Sequence, residues 1–123
     1  MPIATIIVLS DPAGGEEALG RVFNALAAAY DFKRNNRPVQ LVFQGTGTRW
    51  PGVLTNPEHP AHALYEAVAD TVAGASAGCA AVFGTAEAVG RNSLPAIDDN
   101  PVPGTPGLPS LVAYTSNGPV LTF

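Results

Sequence analysis

Apolar positions along the chain fall into several short runs and one long periodic stretch. Ile3-Ala4-Thr5-Ile6-Ile7-Val8-Leu9 is β-branched and almost continuously apolar. Strands covered on both faces, as in a parallel sheet, carry this pattern. Turn chemistry follows in Ser10-Asp11-Pro12-Ala13-Gly14-Gly15. From Glu16 to about Phe32, Leu19, Val22, Phe23, Leu26 and Tyr30 recur at helical spacing. Glu16 and Glu17 at the start and Lys33 and Arg34 near the end match the helix dipole. Val39–Gln44 is a second strand, entered through Pro38, so the first three elements form a βαβ unit with a right-handed crossover.

Beyond it the pattern predicts a polar, glycine-rich loop over Gly45–Gly52. A second helix starts between Pro57 and Ala61, with Leu64, Tyr65, Val68 and Val72 on its apolar face and Gly74 ending it. The third strand is placed over Cys79–Phe83, followed by a tight Gly84-Thr85 turn and a short helix to Gly90. Residues 91–109 change character. Pro95, Pro101, Pro103, Pro106 and Pro109 exclude a central strand and leave room for a short edge strand near Val102. Pro109–Ser116 fits a short helix with Pro109 at its first position, and Pro119–Phe123 reads as a last strand. The elements predict one α/β domain over residues 1–123 with a mainly parallel sheet of about five strands.

Composition sharpens this picture in two ways. Charged residues are 13% of the chain, about half the roughly 25% of an ordinary domain. So little charge on so small a surface predicts burial of part of it against further copies of the chain. The net charge of −4 and the lack of any basic stripe argue against a nucleic-acid partner. A single cysteine excludes an internal disulfide and fits a reducing compartment. No signal-peptide pattern and no apolar run near the ~18 residues of a membrane span is visible, so a cytoplasmic protein without a membrane partner is expected.

Ligands of parallel sheets bind beyond the carboxyl ends of the strands. The turns there nominate Ser10, Asp11, Gln44, Thr46, Arg49, Trp50, Gly84 and Thr85 as a ligand-binding set. Arg49 suits a carboxylate or phosphate, and Trp50 suits an apolar or planar group. The competing reading is a set of ordinary turns with Trp50 in an oligomer contact. Phosphate motifs fail: Gly15–Val22 has P-loop glycine spacing without the lysine and hydroxyl, and Gly45-Thr46-Gly47 lacks the third glycine of a dinucleotide fingerprint. No cofactor is expected. His59 and His62 make too small a set for structural zinc, and His62 stands at helical spacing from Glu66 as a surface pair. Asp98-Asp99 reads as a solvated loop pair, so no metal site is expected either. Cys79 lies among Ala and Gly with no basic neighbour in sequence, the setting of an inert core cysteine.

Three stretches carry a family resemblance: Ile3–Leu9 followed by Ala18–Leu26, Val39–Gly45 ending in Phe43-Gln44-Gly45, and Leu111–Phe123 ending in Asn117-Gly118-Pro119-Val120-Leu121-Thr122-Phe123. With the middle strand-turn-helix between them, the chain resembles the DsrE-like family of sulfur-relay proteins along nearly its whole length. The resemblance implies a three-layer α/β/α sandwich and a homo-oligomer, often a trimer or hexamer. For some members it also implies a persulfide-carrying cysteine near the middle strand and the turn after it. This chain departs from that pattern, with Phe83-Gly84-Thr85-Ala86 at the predicted strand end and Cys79 about four residues earlier, some 13 Å away at roughly 3.3 Å per residue. The expected function is therefore binding of a small ligand or protein partner at the strand-end turns, without the family's strand-end cysteine. The alternative is a sulfur-relay persulfide carrier using Cys79.

Overall fold

A computed structural model describes residues 1–123. Its five strands form one sheet in the order β4-β3-β2-β1-β5, every neighbouring pair parallel. In chain order the elements are β1 Ala4–Val8, α1 Gly15–Arg34, β2 Val39–Phe43, a 3₁₀ turn over Gly45–Arg49, α2 Trp50–Leu54 and α3 His62–Val68. Then follow β3 Val72–Ser76, α4 Ala77–Val82, α5 Ala86–Arg91, β4 Ala96–Ile97, α6 Leu111–Asn117 and β5 Val120–Thr122. Helices cover both faces, giving a three-layer α/β/α sandwich.

All five residues of β1 are buried, because alternate side chains enter two different cores. Ile6 and Val8 join Leu41, Phe43, Ala75 and the inner stripe of α1 in the larger one. Ile7 and Val42 meet Tyr114 of α6 in the smaller one. Burial, and then the nearby Asp99 carboxylate, pushes the Tyr114 phenol above its ordinary range.

The buried stripe of α1 is Ala18, Val22, Ala25, Leu26 and Ala29. The predicted face is thus rotated: Leu19 and Phe23 only flank the core, and Tyr30 is exposed beneath the Arg34 guanidinium. Alanines let the helix backbone approach the sheet closely, so the bulky residues are displaced to the sides.

Five further expectations are corrected. The Gly45–Gly52 segment is helical rather than an open loop. The second helix stops at Val68, and Val72 and Gly74 belong to β3. Gly74 sits at a register shift of β3 against β2 with φ 152°, where a Cβ would strike the Pro95 carbonyl, so the residue read as a helix stop is a bulge glycine. Most consequentially, Cys79–Phe83 is not the third strand. It lies in and just after α4, the helix that leaves the carboxyl end of β3. The edge strand is at Ala96–Ile97 rather than near Val102, and Pro109 precedes the Ser110 cap of α6 rather than starting the helix.

Gly47 packs its backbone so closely on β1 that a Cβ would collide with the Val8 carbonyl. Gly20, inside α1, has open space beside it. Gly47→Ala should lower unfolding free energy by at least about 2 kcal/mol, whereas Gly20→Ala should raise it by about 0.5–1 kcal/mol. Urea titration of the two variants checks the opposite signs.

Candidate functional site

Parallel strands deliver all their exits to one edge of the sheet. Ser10 and Asp11 leave β1 there, Gln44 and the 3₁₀ turn leave β2, and α4 leaves β3. Most polar groups that converge on this rim bond to one another. The Trp50 indole N–H donates to the Ser10 carbonyl at 2.8 Å. The Arg49 guanidinium donates to Asp11 Oδ2 at 2.9 Å, and the other carboxylate oxygen accepts the Ala13 N–H. The Thr46 hydroxyl donates to the Leu9 carbonyl at 3.2 Å.

The structure thus brings Ser10, Asp11, Thr46, Arg49 and Trp50 together, but as a clasp between two strand exits. Trp50 is 1% exposed and belongs to the main core. It buries its ring within its own chain, not against a ligand or a second copy. Gly84 and Thr85 do not follow a strand. They join α4 to α5, and the buried Thr85 hydroxyl donates to Thr48 Oγ1 at 2.8 Å.

Two further groups on the rim stand outside this network. The Gln44 amide nitrogen is the one buried side-chain nitrogen or oxygen without a hydrogen-bond partner. Cys79 is partly exposed in the first turn of α4, where its backbone N–H donates to the capping Ser76 hydroxyl at 3.1 Å. Placing Cys79 at the start of a strand, dry and some four residues from the rim, is therefore overturned. The thiol follows β3 by three residues.

Beside Cys79 lies an apolar hollow of about 180 Å³, walled by Val82 and Phe83 of the same segment and by Val102 and Leu108 of the proline-rich stretch. That stretch is fastened to α4: Gly78 N–H donates to the Gly107 carbonyl at 2.7 Å, and Asn100 and Leu108 pair with each other. The Arg49 guanidinium lies 5.8 Å above the Phe83 ring, linking the clasp to the wall of the hollow.

A second hollow, of about 370 Å³, opens between the ends of β1 and β5. Ser10, Arg21, Thr122 and Phe123 line it. Strand order reverses here, the usual place for a ligand crevice in an open α/β sheet. Arg21 is already paired with Glu17 at 2.7 Å. Arg21 and Thr122 were not among the sequence candidates, because recognising them requires knowing that β5 returns beside β1.

The histidines have structural partners. His59 accepts the Ala61 N–H at 3.0 Å and meets the Trp50 ring edge-on, and a His62 ring nitrogen lies 2.8 Å from the Leu54 carbonyl. Asp99 accepts the Ser110 N–H. No three His, Cys, Asp or Glu side chains gather in a group able to hold a metal, and no helix is long and apolar enough to cross a membrane.

The clasp divides unequally in energy. Trp50→Ala removes a large buried ring and should cost about 3–5 kcal/mol. Arg49→Ala opens an ion pair whose side chains are 40% and 32% exposed and should cost less than about 1 kcal/mol. Urea unfolding of both variants reads the contrast.

A family model described as a protein of unknown function (DUF2613) matches residues 62–114, the span from α3 to α6 that contains Cys79 and its hollow. No curated protein and no solved structure matches the chain.

Proposed function

We propose that this is a DsrE-like, homo-oligomeric protein that engages its ligand at the carboxyl-end rim of the sheet, with Cys79 as a thiol that carries sulfane sulfur. The observation that carries the reading is the position of Cys79: just beyond β3, partly exposed, on an apolar hollow. The three-layer parallel fold agrees with what the resemblance implies. The bonds that Ser10, Asp11, Arg49 and Trp50 make to one another also favour this reading over a ligand held by them.

In the proposed step the Cys79 thiolate attacks the outer sulfur of a donor persulfide, R–S–SH. The donor S–S bond breaks, the donor leaves as R–S⁻, and a new S–S bond forms on Cys79. Delivery to an acceptor thiol repeats the exchange with Cys79 as leaving group.

Incubation with a low-molecular-weight persulfide should add one sulfur atom to the folded chain, at least about tenfold faster than to the urea-unfolded chain. The adduct should be missing from Cys79→Ser and should pass to an added thiol. Mass spectrometry follows each step, and equal rates in folded and unfolded chains would show an ordinary thiol instead.

Self-association is supported by a separate observation. Val82 on α4 and Leu111 and Val112 on α6 are 71%, 51% and 76% exposed, on a chain with little charge to keep such surface wet. Sedimentation at micromolar concentration should give a trimer or hexamer, and a monomer refutes the oligomer.

A further inference from the structure

We propose that a second copy of this chain packs on the uncharged face formed by α4, residues 100–110 and α6, and that it narrows the mouth of the hollow beside Cys79. This deepens the homo-oligomer reading and rests on it. The six basic and ten acidic residues are unevenly placed: none lies among residues 71–86 and none among residues 100–123, and neither stretch holds a histidine. The two stretches meet in space. Gly78 N–H donates to the Gly107 carbonyl at 2.7 Å, and Val82 and Phe83 line the same hollow as Leu108. Leu111 stands three residues beyond Leu108, in the first turn of α6. Val82, Leu111 and Val112, each more than half exposed, belong to this joined surface.

Charge decides the occupant. A surface without ions can meet its own copy with no like-charge repulsion and no charge left buried and unpaired. A lipid surface fits it poorly. The face offers no Lys or Arg to anionic headgroups. Asp98 and Asp99 border it, one packed against Gly107 and the other accepting the Ser110 N–H. With seven residues, α6 is also too short to lie in a membrane interface on its own. Area is sufficient for a copy. Residues 100–123 are about a fifth of the chain, and a proportional share of its 6282 Å² surface is roughly 1,200 Å², above the ~800 Å² per partner of a standard interface.

Val82→Lys and Val112→Lys each set a charge on this face at a position already open to solvent. Ala27→Lys, on the exposed side of α1, is the control. In sedimentation velocity of the full chain at micromolar concentrations, wild type and Ala27→Lys should assemble alike. Both valine variants should associate at least about tenfold more weakly, because each would bury an uncompensated charge. Valine variants that assemble like wild type overturn the proposal and leave the oligomer standing. A monomeric wild type overturns both and gives the face to another occupant. Amide hydrogen exchange reads the same face without substitution: protection at residues 82–83 and 111–113 should rise as the wild-type chain assembles. Protection that rises only elsewhere, such as along the β5 edge, overturns the proposal. Cover of the hollow is read at Cys79 with a bulky maleimide, which forms an S–C bond with the thiolate. It should react more slowly with assembled wild type than with the dilute chain, and at the dilute rate with Val112→Lys. A rate indifferent to assembly overturns the narrowing of the hollow. Sulfur loading, followed by mass, is decided separately from all of these results.

Discussion

The constraint on which the molecule depends is that β1 must be covered on both faces while its neighbours run the same way. A strand with five successive buried residues has no solvent side, so the chain must supply a helix layer above and another below. Parallel pairing then requires a crossover after each strand and sends every exit to the same edge. The rim is a consequence of burying Ile6, Val8 and Ile7, not an independent feature. Its polar residues must find partners among themselves, because the backbone turns there are crowded against the core. The indole of Trp50 shows how this is met: the ring fills the apolar core and its one polar atom ties the β2 exit to the β1 exit.

Seen this way, polar residues at strand ends carry two different meanings. Asp11, Arg49, Thr46, Thr48 and Thr85 are the hydrogen-bonding counterpart of the packing below them. They hold the exits in place. Gln44 and Cys79 do not fit that description, since one has an unmet donor and the other a partly open thiol. An unmet buried donor is a stronger pointer to chemistry than residue type alone.

The fold was largely legible in the residues, and the site was not, for one physical reason. β1, α1 and β2 announce themselves by long, unambiguous patterns: a β-branched run, a 3.6-residue period, a second apolar run. Val72-Ala73-Gly74-Ala75-Ser76 offers one β-branched residue and a glycine, so its strand character comes from pairing with β2 rather than from intrinsic preference. The following Ala77–Val82 run is short and apolar, a pattern on which periodicity cannot separate strand from helix. The available signal was Ser76, a capping residue at the head of an alanine-rich run. With Ser76 capping α4, the third strand lies one element earlier than the apolar run suggests, and Cys79 stands beyond its carboxyl end. The α1 stripe erred in the same direction: large apolar residues marked the face, whereas alanines occupied the tightest contact.

Small residues also explain why the thiol has a hollow beside it at all. Gly78 carries no side chain where Leu108 crosses it, and its N–H reaches the Gly107 carbonyl directly. Any Cβ at Gly78 would occupy the place of the Leu108 methyl group. The proline-rich stretch can therefore lie against α4, backbone to backbone, and its prolines reduce the entropy it loses in doing so. Once it is seated, Val102 and Leu108 form one wall of the hollow, while Val82 and Phe83 form the other. Composition that looks like a featureless linker thus acts as a strap, and the cavity exists because the residue next to Cys79 is a glycine. The same smallness that hid β3 and α4 from pattern reading allows the chain to close around its only sulfur nucleophile while leaving that sulfur within reach.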